Sequence, residues 1–267
     1  MNKANEVVNH INLWVKSHTG GLIKQILNPN AVDNGTLFIL ANALYFKGDW
    51  AEKFDAKETK RRDFYLLDGS SIKVPFMSSW KGQCVRAFDG FKVLRLSYEQ
   101  GNDETRRFSM YIFLPDAEDG LPSLVHKVTS EPGLLERCLT SLPNHPVPVG
   151  EFRIPKFKSS FHLEFSNILK GLGVASPFDG GEGLAEMVDG GYPLHVTNVI
   201  HKSFIEVNEQ GTEAAAVTVA RMGCGALRPR PRPVLVDFVA DHPFLYFIRE
   251  DLRGAIVLLG TLINPLH

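Results

Sequence analysis

One stretch near the carboxyl end limits the fold of this chain more than any other. Residues 207–238 read VNEQGTEAAAVTVARMGCGALRPRPRPVLVDF. The run Arg228–Pro233 alternates arginine with proline, which excludes a helix or a central strand and favours an exposed, extended loop. An SH3-type ligand or a nucleic-acid patch is a weaker interpretation, because the run is short and isolated. The small residues before it, with Val217, Thr218 and Val219, are compatible with a strand. The chain therefore holds a strand-compatible segment with no obvious core to join.

The remainder of the chain predicts an α+β fold with large, mostly antiparallel sheets. Apolar residues at helical spacing predict a helix over 4–17, and helical segments are also expected over 22–27, over 120–142 with a break at Pro132-Gly133, and over 161–173. Strands are expected over 36–46, 71–78, 82–88, 91–100, 106–116, 147–157, 192–209, 244–250 and 255–263. The polar loop 101–105 predicts a hairpin of 91–100 with 106–116, and the turn 251–254 predicts one of 244–250 with 255–263. The run at 36–46 is apolar almost throughout, as in a strand buried on both faces or a buried helix, and its flanking turn residues and aromatics favour the strand. No repeat or clean linker interrupts the sequence, so residues 1–267 are expected to form a single domain.

Charge and cysteine usage exclude several classes of protein. A formal net charge of −1 argues against a general role in binding nucleic acid or a membrane surface. Cys84, Cys138 and Cys224 are widely spaced and form no CxxC, so neither a zinc site nor a disulfide framework is expected. No run is apolar enough for a membrane span or a signal peptide, which favours a cytoplasmic location.

A search for catalytic motifs finds none. The sequence lacks GxSxG, HExxH, a Walker loop and GxGxxG. A Cys/His nucleophile pair stays open, although a lone cysteine is more often structural. His242, between Asp241 and Pro243, is expected to be structural, with a metal ligand as the open alternative. The chain is therefore expected not to be an enzyme and to use no metal or cofactor.

Four motifs resemble those of the serpin family. They are HKSFIEVNEQGTEAAA (201–216), FVADHPFLYFI (238–248), ANALYFKGDW (41–50) and IPKF (154–157). The resemblance extends from the first helix to Asn264-Pro265, and the ADHPF wording is most similar to plant serpins of the Z type. It implies a serpin-like multi-sheet fold with helices and an exposed reactive loop. It also implies a serpin domain that is incomplete at its N-terminus, lacking the family's N-terminal helices and first strands.

The resemblance also implies a mechanism. Serpins are suicide substrates: a protease cleaves the reactive loop, becomes acyl-linked to it, and is carried along as the loop inserts into the main sheet. The chain is therefore expected to be a monomeric inhibitor of serine-type endopeptidases, and also of cysteine proteases, that forms a covalent complex with its target. The alternative is a non-inhibitory or defective serpin-like protein, because the N-terminal part of the fold would be missing. By family resemblance, an extracellular location is the alternative to a cytoplasmic one.

The residues after Glu209 suit insertion as a strand, in which successive side chains face opposite sides of the sheet. One parity carries only small, uncharged side chains, namely Thr212, Ala214, Ala216, Thr218 and Ala220. A tolerated surface loop would not need this parity. The resemblance assigns the hinge of the reactive loop to Glu209, Gly211, Thr212, Glu213, Ala214, Ala215 and Ala216.

The family's spacing from Glu209 places the reactive bond between Gly225 and Ala226. The alternatives are Leu227, Arg228 and Arg221, although Pro229 would resist cleavage after Arg228.

The resemblance also assigns four supporting residues. His201 and Asn42 match a polar pair that latches the central strands. Trp50 matches an aromatic residue near the point where the sheet opens. Lys156 matches the salt-bridge partner of Glu209. Each of these residues also has a plain core or surface interpretation.

Overall fold

A computed structural model describes residues 3–33, 35–180, 184, 187, 194–212 and 235–266. The described α-helices are α1 (Lys3–His18), α2 (Leu121–Ser130), α3 (Leu134–Thr140) and α4 (Ser166–Gly171), and short 3-10 helices cover Ala56–Glu58 and Ser176–Phe178. The described strands are β1 (Phe38–Tyr45), β2 (Gly48–Asp49), β3 (Lys60–Tyr65), β4 (Ser71–Ser78), β5 (Cys84–Phe88), β6 (Phe91–Ser97), β7 (Phe108–Pro115), β8 (Val149–Pro155), β9 (Phe157–Glu164), β10 (Val196–Val207), β11 (Gly211–Thr212), β12 (Val236–Val239), β13 (Phe244–Glu250) and β14 (Ala255–Leu262). Strands thus dominate, with helices set between them, as an α+β fold requires.

The contacts of the chain group into two compact units. The first contains residues 1–46 and 160–205, and the second contains residues 47–159 and 206–267. Both β9 and β10 contain residues of each unit. The single domain over 1–267 stays a prediction.

In the first unit, α1 packs through one apolar face, as its sequence spacing predicts. Val8 and Val15 are buried with Ile23, Leu27 and Ile200. In the same unit β1 runs parallel to β10, with Asn42 opposite His201. A cluster of aliphatic side chains therefore supports the strand pair that carries two of the candidate site residues.

One predicted helix of this unit is wrong, and another is shorter than predicted. Residues 22–27 are irregular, because the side chain of Asn12 satisfies the backbone there: Asn12 Oδ1 accepts from Ile26 N at 2.8 Å and from Leu27 N at 3.0 Å. Over 161–173, β9 continues to Glu164 and only the short α4 is helical. The Glu164 carboxylate accepts a hydrogen bond from Ser166 N at 3.0 Å, which fixes the turn between the two elements.

The prediction that 36–46 is buried on both faces is also wrong. The strand itself is confirmed as β1, but its centre is exposed at Leu40, Ala41 and Asn42. The apolar run matches the pattern of a strand buried on both faces, but the described residues do not bury the centre of this strand.

The second unit contains two larger sheets, ordered β12-β8-β4-β3 and β14-β13-β7-β6-β5. The predicted hairpins β6–β7 and β13–β14 are confirmed, and both are antiparallel. One face of the second sheet packs on α2 and α3 through Phe113, Phe247, Leu124 and Cys138, all buried. The break predicted at Pro132-Gly133 separates these two helices. The sequence did not single out β2, β3, β11 or β12.

Every helix within the described ranges is too short or too polar to cross a membrane. In the same ranges, no three His, Cys, Asp or Glu side chains gather closely enough to hold a metal ion.

Candidate functional site

A tight turn at residues 208–211 joins the end of β10 to β11. Asn208 N donates to Gly211 O at 2.9 Å, and the Asn208 side chain accepts from Gln210 N at 3.0 Å. Two backbone groups of a neighbouring segment also hold the turn, because Trp50 N donates to Gln210 O at 2.7 Å and Phe54 N donates to Glu209 O at 2.9 Å. Backbone hydrogen bonds therefore hold the turn, together with one bond to the Asn208 side chain.

The turn delivers β11 between two other strands. Thr212 lies opposite Val207 of β10 on one side and opposite Gly48 of β2 on the other. Thr212 is fully buried. The chain thus enters a sheet, paired on both sides, at the last residues before the undescribed stretch 213–234.

Gly211 has a backbone that only glycine adopts easily. Its φ is +152°, and a Cβ added there would collide with the Gly48 carbonyl oxygen and lie 2.6 Å from Asp49 Cα. Because the colliding atoms are backbone, no rotamer change relieves the clash. The close approach of β11 to β2 thus depends on this glycine.

Glu209 is a buried carboxylate with two side-chain partners. Lys156 Nζ lies 2.7 Å from Glu209 Oε2, and Thr59 Oγ1 donates to Glu209 Oε1 at 2.8 Å. Burial by itself would raise the pKa of Glu209, but the hydrogen bonds from Lys156 and Thr59 outweigh burial and lower it below the ordinary value. Glu209 is therefore held ionised at the turn.

The Trp50 side chain packs beside the same turn. It is buried, and its Nε1 donates to Asn208 O at 2.9 Å. Its ring stacks on Tyr98, with centroids 4.6 Å apart. Tyr98 Oη is 2.9 Å from Thr212 Oγ1, and burial raises the pKa of Tyr98. Trp50 therefore contacts the turn directly and supports β11 through Tyr98.

A second ion pair lies next to the turn. Lys158 Nζ is 3.0 Å from Glu206 Oε2, on the residues that flank Lys156 and the end of β10. The Lys158 side chain is exposed, so this pair contributes less than the Lys156–Glu209 pair.

The first unit holds the other predicted pair. His201 Nδ1 donates to Asn42 Oδ1 at 2.9 Å, across the parallel strands β10 and β1. Phe165 meets the His201 ring edge to face at 5.9 Å. Burial lowers the pKa of His201, which favours the neutral ring in this contact.

All four predicted supporting residues thus make contacts. Lys156 and Trp50 meet the turn that carries Glu209, Gly211 and Thr212. Asn42 and His201 pair with each other in the first unit. The remaining predicted positions, Glu213, Ala214, Ala215, Ala216, Arg221, Gly225, Ala226, Leu227 and Arg228, lie outside the described residues.

The sequence analysis missed Thr59 and Tyr98. Thr59 belongs to a polar stretch with no motif, so only the fold brings it to Glu209. Tyr98 directly follows β6, and an aromatic residue with a hydroxyl beside a strand end is a weak sign of a buried hydrogen bond.

His242 has a structural role in this fold. Nδ1 lies 2.9 Å from Asp241 Oδ1 and Nε2 lies 2.7 Å from the Pro115 carbonyl oxygen. Both partners are acceptors, so both ring nitrogens donate and neither offers a lone pair to a metal ion. Burial by itself would lower the pKa of His242, but the bonds to Asp241 and Pro115 outweigh burial and raise it.

Comparisons with known proteins agree on one family. A family model described as serpin (serine protease inhibitor) matches residues 1–265. Serpin-ZX of Hordeum vulgare is 53% identical over 99% of this chain, and Serpin-Z10 of Arabidopsis thaliana is 48% identical over 98%. The chain spans 65% of the length of the barley relative and 67% of that of the Arabidopsis relative. The predicted similarity to plant serpins of the Z type is confirmed.

A solved structure gives the same result. Arabidopsis AtSerpin1, in its native stressed conformation, superposes with a TM-score of 0.82 at 46% identity. The match covers 99% of this chain and 66% of that one. The predicted multi-sheet fold with helices is confirmed over the matched region.

Proposed function

This chain belongs to the serpin family, and from that premise we propose that it inhibits serine-type endopeptidases, and also cysteine proteases, as a suicide substrate. A protease would attack a peptide bond between residues 213 and 234, and its nucleophile would form an acyl bond to the new carboxyl end while the amine departs. Insertion of the loop into the sheet would then trap this acyl enzyme. The inhibitor acts as one molecule on one protease and has no catalytic turnover of its own.

The position of β11 is the observation that carries the proposal. Gly211 and Thr212 already pair with β10 on one side and β2 on the other. In the first unit, β1 and β10 pair with each other directly. Continued insertion would extend β11 along β10 and replace the β1–β10 hydrogen bonds. The cut loop thus has a strand start in place.

The side chains after Thr212 support this route. Thr212 is fully buried, so in a strand inserted beyond it alternation would direct Ala214, Ala216, Thr218 and Ala220 inward as well. None of them is large or charged. Insertion of about fifteen residues at roughly 3.3 Å each would carry an attached protease about 50 Å.

The ionised Glu209 and the β1–β10 contact have separate roles in the proposal. Glu209, held by Lys156 and Thr59, fixes the turn from which insertion starts. The Asn42–His201 hydrogen bond joins the two strands that must separate. We assign the reactive bond to Gly225–Ala226, on the family's spacing, with Leu227 as the first alternative.

The decisive experiment mixes the chain with a panel of serine and cysteine proteases and looks for a complex that survives SDS. Two variants make the test specific to insertion. Ala216→Arg places a charge on the inward parity and should convert the inhibitor into a cleaved substrate. Ala215→Arg places the same charge on the outward parity and should keep most of the complex.

Thermal melting before and after cleavage of the loop gives an independent measurement. Insertion adds a strand with its hydrogen bonds, so the cleaved chain should melt well above the intact one. Cleavage without an SDS-stable complex and without a rise in melting temperature would establish the non-inhibitory alternative instead.

A further inference from the structure

The strand β14 ends the sheet β14-β13-β7-β6-β5 and carries no charge. Residues 254–266 contain no Asp, Glu, Lys or Arg. Within the described ranges, β13 is the only strand that pairs with β14. In an antiparallel ladder the N–H and C=O groups of every second residue point away from the neighbouring strand. β14 therefore presents an uncharged edge of eight residues.

The other strands that end the two sheets of the second unit carry charges. β5, at the opposite end of the same sheet, has only five residues and an exposed Arg86. In the sheet β12-β8-β4-β3, Asp237 lies on β12, and β3 carries three basic side chains and Asp63. Proteins use charges and short strands at such places because an unprotected edge pairs readily with another chain. Among these four described edges, only β14 lacks a charge.

The apolar face of the sheet continues onto β14, but its helical cover does not. Phe247 of β13 is buried in the cluster with α2 and α3, and it lies opposite Leu259 of β14. Directly paired side chains share one face of a sheet, yet Leu259 is 63% exposed. Ile263, directly after β14, is exposed as well. An open apolar strip thus runs along this edge.

The sequence of β14 is suited to pair with itself. In an antiparallel pair centred on Leu259, the uncharged positions 255, 257, 259, 261 and 263 share one face of the strand. No like charges would oppose each other, and a two-fold axis would close both edges at once. The resulting pairs would be Ala255 with Ile263, Val257 with Thr261, and Leu259 with its own copy.

The size of this contact predicts a weak dimer. Eight residues at roughly 3.3 Å each give an edge about 26 Å long, and one sheet layer is about 10 Å thick. Each copy would bury on the order of 300 Å², against about 800 Å² in a standard interface. The association should therefore be reversible and grow as the protein concentration rises.

We propose that β14 is a self-association edge, through which two copies of this chain join their sheets about a two-fold axis at Leu259. The occupant of the edge is β14 of the second copy. The predicted monomer is then the dilute state of the protein. This inference does not depend on the proposed function, because no residue of the turn at 208–211 belongs to the contact.

Sedimentation velocity over a concentration series tests the proposal. The mass of the wild type should rise from 29.7 kDa toward twice that value. Leu259→Lys should stay monomeric at every concentration, because two like charges would face each other across the axis. The matched control is Leu172→Lys at an exposed leucine after α4, which should dimerise like the wild type.

A charge swap makes the test specific to the two-fold axis. Leu259→Glu alone should also stay monomeric. An equimolar mixture of Leu259→Lys and Leu259→Glu should dimerise, because Lys would then face Glu, and this recovery would also show that both variants are folded. Amide hydrogen exchange gives a second measurement: residues 255–263 of the wild type should exchange more slowly at high concentration than at low concentration.

Several results would overturn the proposal. A wild type that keeps a mass of 29.7 kDa over the whole series would do so. Dimers of Leu259→Lys, or loss of the dimer in Leu172→Lys, would place the contact elsewhere. A mixture of the two Leu259 variants that stays monomeric would exclude the two-fold axis. Full exchange protection of 255–263 in the dilute monomer would show that the chain itself covers this edge.

Discussion

Removal of the partner of Glu209 should loosen the turn that leads into β11. Lys156 and Thr59 are the side chains that compensate this buried carboxylate, at 2.7 and 2.8 Å. The Lys156→Met substitution keeps the length of the side chain and removes its charge. Glu209 would then be left with one neutral donor, which raises its pKa and favours the unfolded chain, where water solvates the carboxylate.

The size of the effect lies between two limits. Exposed pairs contribute about 0–1 kcal/mol, and breaking a fully buried pair costs about 3–5 kcal/mol. The Glu209 side chain is 11% exposed, but the Lys156 side chain is 34% exposed and partly screened by water. We therefore expect Lys156→Met to lower the free energy of unfolding by about 2 kcal/mol, or the melting temperature by about 4–8 °C. Glu209→Gln should cost less, since it keeps the acceptor for Thr59 and leaves Lys156 able to reach water.

A double-mutant cycle read by circular dichroism melting checks this reasoning. If the pair is coupled, the double variant should lose about 1 kcal/mol less than the sum of the two single variants. Lys158→Met is the matched control, because the Lys158 side chain is exposed and its pair with Glu206 is screened by water. It should lower the free energy of unfolding by less than about 1 kcal/mol. Strictly additive losses, or a loss in Lys158→Met as large as in Lys156→Met, would refute the argument.

The contribution of Glu209 to the free energy of unfolding should depend on pH in a defined direction. The folded-state pKa of Glu209 lies below its ordinary value of 4.5. Its contribution to stability is therefore present above about pH 4.5 and is lost as the pH falls through the folded pKa. The stability difference between the wild type and Glu209→Gln should shrink on acidification; a difference that grew would contradict the assignment.

Three further substitutions test other contacts. Gly211→Ala should lower the melting temperature by several degrees, because its Cβ collides with backbone; an unchanged melting temperature would show that β11 does not pair there. For His242, bound to Asp241, the folded pKa is raised above 6.5, so its contribution is present below about pH 6.5 and lost as the pH rises through the folded pKa. His242→Gln should abolish the resulting fall in melting temperature on the alkaline side; a fall that persisted would place its origin elsewhere. Tyr98→Phe removes the hydroxyl that meets buried Thr212 and should cost about 1 kcal/mol in urea unfolding, which a neutral result would contradict.

The sequence predicted those elements whose stability is local. The helix over 4–17 follows from apolar spacing, and the hairpin of β6 and β7 follows from two apolar runs around a polar loop. The prediction of a helix over 22–27 was wrong because backbone amides there bond to the side chain of Asn12, more than ten positions away. Likewise, β9 continues into a segment with helical spacing, because its pairing with β10 overrides that spacing. Hydrogen bonds to residues far along the chain leave no periodic pattern in the sequence.

The candidate site shows the same division. Family resemblance nominated Lys156, Trp50 and Glu209, and the fold brings them to one turn. Thr59 and Tyr98 carry no motif, so their contacts with Glu209 and Thr212 emerge only from the packed chain. Such residues contribute through their place in the fold, so the sequence alone does not identify them.

Gly211 links the present structure to the proposed insertion. At φ +152° it allows a close approach to the backbone of β2, where a side chain would collide. The residues after Thr212 are small on one parity and strand-forming at Val217 and Val219, so they suit an inserted strand as well as an exposed loop. A segment that has to adopt both an exposed loop and an inserted strand cannot be optimal for either conformation. If the loop inserts as we propose, one stretch serves in turn as bait outside the sheet and as a strand within it, and a strand-compatible loop meets both needs.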